Sequence, residues 1–147
     1  MHKMRVYLDN CCYNRPFDEQ TQPVLRLEKE ATLVVQSLMR KYVIEYAWSF
    51  VLRMEISCNP DLQRKKAIAD WAEGAVVDVA PSEEIRMRGH EFEAQGIKPT
   101  DALHLACAEF AGCDWFFTVD RGVLKKVRNV GAMRVANPVE LILEGMT

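Results

Sequence analysis

With 147 residues, the chain is long enough to bury a core and too short for two ordinary domains, so residues 1–147 are read as one domain. Apolar residues make up 49% and charged residues 27%, a balance that excludes a disordered or fibrous chain and points to a soluble globular one. The net charge of −2 leaves no overall basic footprint for nucleic acid; yet if four of the 21 acids share one metal site, 17 remain against 19 bases and the rest of the surface is slightly basic.

No apolar run approaches the roughly 20 residues needed to cross a bilayer. The start, Met1 to Tyr7, has no signal-peptide core, so no membrane contact and a cytoplasmic location are expected. Cys11, Cys12, Cys58, Cys107 and Cys113 are odd in number and lack metal-ligand spacing, which speaks for reduced thiols rather than a disulfide framework or a zinc site. Cys58 and Cys107 read as buried fillers on apolar helix faces.

In chain order, Arg5 to Leu8 is a short β-rich run that ends at Asp9-Asn10. Cys11 to Gln22 reads as a loop. From Pro23 to Lys41, Val24, Leu27, Ala31, Val34, Val35 and Leu38 recur at helical spacing, forming a face for the core or for a dimer contact. Tyr42 to Ala47 is a second strand, and Ser49 offers a cap for a helix carrying Glu55 and ending before Pro60. Asp61 to Glu73 reads as a helix, Ala75 to Ala80 as a strand, Pro81 to Gln95 as a charged helix, and Thr100 to Ala111 as an apolar one closed by Gly112. Trp115 to Val119 is an unbroken apolar run suited to a strand buried on both faces, and it ends at Asp120. Gly122 to Asn129 is expected to be helical, Met133 to Ala136 a strand, and Pro138 to Glu144 a helix. This alternation predicts a three-layer α/β/α sandwich with a mostly parallel central sheet.

In open parallel sheets the functional crevice lies beyond the carboxyl ends of the strands, where Asp9 and Asp120 fall. Asp101 starts a helix, and Glu55 sits inside one between Met54 and Ile56, where a carboxylate near a buried face is costly unless paired or coordinated. Like charges raise one another's pKa, so four convergent carboxylates call for a cation. Magnesium and manganese prefer oxygen ligands and share their remaining positions with substrate phosphates, which suits phosphodiester hydrolysis.

Four segments then carry a resemblance: Tyr7-Leu8-Asp9-Asn10, Met54-Glu55-Ile56, Pro99-Thr100-Asp101-Ala102-Leu103-His104-Leu105-Ala106, and Phe116-Phe117-Thr118-Val119-Asp120-Arg121. In order and spacing the chain resembles the PIN domain, the nuclease fold of many prokaryotic toxin components of the VapC kind, from Arg5 to about Leu143. The resemblance implies an endoribonuclease that uses Mg2+ or Mn2+ and cuts RNA, often as a homodimer and often encoded beside an antitoxin. It carries catalysis and metal binding onto Asp9, Glu55, Asp101 and Asp120, and support onto Thr118 and the neighbouring Asn10. Many relatives have a further acid shortly after the fourth segment, where this chain has Gly122-Val123-Leu124.

Each residue taken alone has an ordinary reading. Asp9 can be a turn residue, Asp101 can favour a helix dipole with Thr100 as cap, Glu55 can pair with an Arg or Lys, and Asp120 can cap the helix that follows. Together, their order and spacing favour a shared site. His104, between Leu103 and Leu105, is expected to be a packed histidine with satisfied ring nitrogens. Arg121, Lys125 and Arg128 fall on one face of the last predicted long helix, where they either grip phosphates or face solvent; Arg15 is a weaker substrate-binding candidate. Trp48, Trp71 and Trp115 are assigned to core or interface rather than to base stacking. The alternative to the nuclease is a catalytically weak or inactive PIN-like module that binds RNA or protein. A phosphatase is disfavoured by the lack of a second aspartate close after Asp9, and nucleotide-cofactor binding by the lack of a Gly-rich turn after the first strand.

Overall fold

The computed structural model describes residues 2–19 and 21–145. Six strands form one sheet: β1 Arg5–Leu8, β2 Glu45–Ser49, β3 Val77–Val79, β4 Trp115–Phe117, β5 Asn129–Val130 and β6 Met133–Ala136. Their order is β3-β2-β1-β4-β6-β5, parallel throughout except for the antiparallel β5–β6 pair. The helices are α1 Asn10–Asn14, α2 Pro23–Arg40, α3 Phe50–Ser57, α4 Leu62–Ala69, α5 Glu83–Ala94, α6 Pro99–Phe110, α7 Arg121–Lys126 and α8 Pro138–Leu143. They flank the sheet to give the expected α/β sandwich.

The central strands are held by what their sequence buries. Val6, Tyr7 and Leu8 of β1 and Phe116 and Phe117 of β4 are inaccessible to solvent on both sheet faces, the reason neither strand alternates in polarity. Tyr7 pairs in register with Phe116 and the two rings stack at 5.4 Å. Trp115 and Phe117, two apart and so on one face, stack at 5.3 Å. The three tryptophans are buried or partly buried within this framework.

Several expected boundaries move, each for a local reason. The predicted loop from Cys11 to Gln22 contains α1 and a 3-10 turn, Arg15–Phe17, because Asp9 caps the chain straight into a helix; Gln20 lies outside the described residues. The second strand begins at Glu45 instead of Tyr42, because Tyr42 has φ 58°. Its N–H and that of Val43 bond back to the carbonyls of Met39 and Leu38, closing α2 in a left-handed turn. The helix predicted over Asp61 to Glu73 is α4 followed by a tighter 3-10 turn, Asp70–Gly74. Thr100 does not cap α6; Lys98 occupies that position and Pro99 opens the first turn. The helix expected to reach Asn129 stops at Lys126, since Val127 is extended and Asn129 and Val130 join a hairpin with β6 through Gly131, whose φ is 58°.

The buried face of α2 is also rotated from the expected one. Glu28, Ala31, Thr32, Val35, Gln36 and Met39 face inward, while Val24 is 39% and Leu27 54% exposed. A carboxylate is tolerated there because it is paired: Asn137 Nδ2 donates to Glu28 Oε2 at 2.7 Å, and Arg15 Nε lies 3.4 Å from Oε1. Cys107 is buried as expected, but Cys58 follows the last turn of α3 and is exposed.

Candidate active site

The strand order reverses between β1 and β4, since the chain proceeds from β1 outward to β3 on one side and from β4 outward on the other. Loops leaving neighbouring strands in opposite directions open a crevice at this point. Asp9 leaves β1 there, with its N–H donating to Phe117 O at 2.9 Å. Its carboxylate is nearly buried and well supplied with donors: Oδ1 accepts from the Asn10 N–H at 2.7 Å, and Oδ2 from the Thr118 hydroxyl at 2.9 Å and the Cys11 thiol at 3.4 Å. Thr118 Oγ1 in turn accepts from the Asp120 N–H at 3.1 Å, so one buried hydroxyl ties two acids together. Asp120 caps α7, Oδ1 accepting from Gly122 N–H at 2.7 Å and Val123 N–H at 3.4 Å.

Asp101 lies in the first turn of α6 and Glu55 near the end of α3. Burial pushes the Asp101 carboxyl from 3.8 up to about 6, with the negative charges of Asp9 and Asp120 adding to the rise, His104 opposing it, and Glu55 adding further. Asp101 therefore senses all three of the other acids. Asp101 and Asp120 also line one small cavity of about 30 Å³, with Lys98 and Lys126 at its edge. A concavity of about 850 Å³ between α5 and α6 contains none of the four acids.

Among the described residues, Glu55 pairs with neither Arg nor Lys. Its partner is His104 Nε2, which also lies 3.6 Å from Asp9 Oδ1. His104 is inaccessible to solvent and its Nδ1 is 2.6 Å from the Tyr7 hydroxyl, which is 2.6 Å from Ser49 Oγ. Both ring nitrogens are thus satisfied, as expected, Nδ1 by a core tyrosine and Nε2 by the acid cluster. Burial alone would lower the His104 pKa; the Asp9 charge, the hydrogen bond and charge of Glu55, and the Asp101 charge together raise it. One ligand atom from each of Asp9, Glu55 and His104 lies within 4.8 Å of the others.

Of the remaining candidates, Asn10 contributes its backbone N–H, while its side-chain oxygen accepts from Asn14 Nδ2 at 3.0 Å. Arg15 is held by Asp18 at 3.3 Å and Glu28 at 3.4 Å. Arg121 and Lys125 are exposed on α7. Arg128 does not share their helix and instead grips Glu140 with bonds of 2.8 and 2.9 Å. Sequence reasoning left out Cys11, Tyr7 and Ser49 as neighbours of the site and assigned His104 to packing. The available signal was the i, i+3 spacing of Asp101 and His104, which places both on one face of α6.

The donor set fits a hard divalent cation. It is dominated by carboxylate oxygens, and the raised Asp101 pKa registers a crowding of negative charge that a cation would relieve. The fold and this rim of acids define a class, an α/β sandwich with acidic residues gathered at its topological switch point. The chain belongs to the PIN domain family, whose model matches residues 17–130, a stretch that includes Glu55, Asp101, Thr118 and Asp120 and begins after Asp9. PIN domains are generally nucleases. In structure the chain is similar to one from the crystal structure of VapBC2 from Rickettsia felis bound to a DNA fragment from their promoter, with TM-score 0.55 and 14% identity over 91% of this chain and 98% of that one. No curated protein matches the sequence significantly.

Proposed function

We propose that the chain is a metal-dependent endoribonuclease that hydrolyses RNA phosphodiester bonds at a site formed by Asp9, Glu55, Asp101 and Asp120, and that it is the toxin of a toxin–antitoxin pair. The observation that carries this reading is the gathering of acids at the strand ends: Asp9 and Glu55 place ligand atoms within 4.8 Å of each other and of His104, and Asp101 and Asp120 line one cavity beside them. Mg2+ or Mn2+, when bound, supplies charge neutralisation of the scissile phosphate and a water acidic enough to attack near neutral pH. Thr118 and the Asn10 N–H fix the Asp9 carboxylate, so its two oxygens keep a set orientation toward the cation. Asp120 spends one oxygen on capping α7, which anchors the side chain. Asp101, its carboxyl pushed up to about 6 by burial and the neighbouring acids, would help hold the cation, whose charge would favour its ionised form.

Arg121 and Lys125 follow Asp120 on exposed positions and are suited to contact phosphates flanking the cleaved bond. Arg15 would first have to leave Asp18 and Glu28, so its contribution is smaller. The same proposal includes residues 1–147 acting as one unit, supported by a single sheet that joins Arg5–Leu8 to Met133–Ala136 through β4. It also includes a cytoplasmic setting, supported by five cysteines that form no bridge. Among the described residues no helix is long and apolar enough to cross a membrane. An antitoxin partner is supported by likeness to a chain of a VapBC2 complex, and a homodimer by the apolar side chains that α2 leaves exposed.

The test is cleavage of a mixed single-stranded RNA pool by purified protein with Mg2+, with Mn2+ and with chelator, beside Asp9→Asn and Asp101→Asn. Metal-dependent cutting that both substitutions abolish is expected. No cutting with either ion by folded protein free of bound inhibitor would favour a binding module instead.

A further inference from the structure

We infer that His104 is a positioning residue: backed by Tyr7 and Ser49, it fixes the Glu55 carboxylate for the metal ion without itself being a ligand. This rests on the nuclease reading above. The relay is a closed circuit through four elements. Ser49 ends β2 and caps α3, its Oγ accepting from the Leu52 N–H at 3.2 Å. Its hydroxyl also meets the Tyr7 hydroxyl of β1, which meets His104 Nδ1 of α6. His104 Nε2 then returns to α3 at Glu55, one and a half turns beyond Ser49. Ser49, Tyr7 and His104 are all inaccessible to solvent, so their polar atoms must find partners in the protein, along this path and, for Ser49, also at Leu52 and Cys107.

That constraint leaves three proton orders along the path. If Ser49 donates to Tyr7 and Tyr7 to Nδ1, the proton of a neutral imidazole sits on Nε2 and points at Glu55. If the imidazole is charged, Nδ1 donates to Tyr7 and Nε2 still carries a proton toward Glu55. A third arrangement, with Nδ1–H donating to Tyr7 and Tyr7 to Ser49, would turn a bare Nε2 lone pair toward Glu55 and Asp9, two carboxylates with no proton to give it, and is disfavoured; in the other two Nε2 is a donor with no lone pair for a cation, and one Glu55 oxygen is fixed while the other is left to the metal. Glu55 needs this support: it lies on a helix with its side chain 32% exposed and receives no other hydrogen bond among the described residues, whereas Asp9 has donors on both oxygens.

The experiment measures Mn2+ binding by calorimetry on the full chain for wild type, His104→Leu, His104→Gln, Tyr7→Phe and Asp101→Asn, with thermal melting in chelator to confirm folding. His104→Leu should weaken Mn2+ about 10- to 100-fold, the range found when such supporting groups are removed. His104→Gln, whose amide N–H can reach the same place, should recover most of the affinity. Tyr7→Phe should weaken Mn2+ several-fold, and KM for RNA should stay unchanged in all three. Unchanged Mn2+ affinity in folded His104→Leu would overturn the inference. So would nitrogen coupling from a coordinated imidazole in the electron paramagnetic resonance spectrum of the wild-type Mn2+ complex. If His104→Leu does not fold, wild-type Mn2+ affinity in Tyr7→Phe overturns it equally. Full metal binding and cleavage in Asp101→Asn would instead defeat the four-carboxylate site, and no metal-dependent cleavage by the wild type would defeat the nuclease reading, which keeps the failures apart.

Discussion

Asp101 carries a stability cost that its chemistry requires. Its pKa of about 6 in the folded protein lies above the ordinary 3.8, so the folded state holds the proton more tightly than the unfolded chain does. The stabilisation this gives is complete below about pH 4 and is lost as the pH rises through about 6. In chelator, Asp101→Asn should therefore be more stable than wild type at pH 7.5, by about 1–2 kcal/mol once partial solvent screening is allowed for, and the difference should vanish at pH 4. Urea denaturation at the two pH values measures this directly; a variant less stable at pH 7.5 would contradict the crowding of charge. At this scale much was legible in the sequence, because strand ends and helix starts announce where Asp9, Asp101 and Asp120 must lie. The partners of Arg15 were not, since Asp18 and Glu28 reach it from a turn and from the inward face of α2. Nor was the path from His104 to Ser49, which needs three elements packed together.

Among the elements, the two strands whose bounds were read correctly, β1 and β6, are runs set off sharply by Asp9 and Asn137. The face of α2 was misread because apolar spacing cannot reveal that a buried glutamate has a partner 109 residues away. That partner makes a sharp test. Asn137 caps α8 through its bond from Val139 N–H at 3.0 Å, receives the reciprocal help of Glu140, and donates to Glu28. Asn137→Ala should cost about 1 kcal/mol for the lost cap and about 1–3 kcal/mol more for the carboxylate left short of a donor. Asp61→Ala removes a similar cap from α4, where Oδ1 accepts from Gln63 and Arg64 N–H, but on an exposed surface with no buried charge behind it. It should cost only about 1 kcal/mol, and equal losses in the two variants, measured by urea denaturation, would remove the argument for why α2 turns Glu28 inward.

For the whole molecule, binding of a cation to the folded state alone raises stability by about 2.7 kcal/mol at a hundred times its Kd, and Mn2+ should raise Tm in wild type far more than in Asp101→Asn. Affinity for RNA should fall with salt, and the double change Arg121→Ala with Lys125→Ala should flatten the slope of log affinity against log salt by about 1.4 if each side chain meets one phosphate of a single strand. An unaltered slope would remove both from the interface. The alternation of strands and helices made the sandwich legible from sequence, while the β5–β6 hairpin escaped notice because two residues are too few to show a pattern.

The central place of β1 also orders events during synthesis. Val6 pairs with Tyr46 on one side and with Trp115 on the other. A nascent chain that has not yet released β4 from the ribosome has β1 open along one edge and Asp9 without the Thr118 hydroxyl. Contacts so distant along the chain form late. On the ribonuclease reading proposed above this is protective, because the growing polypeptide has no assembled site with which to attack its own message until β4 and Thr118 have left the ribosome.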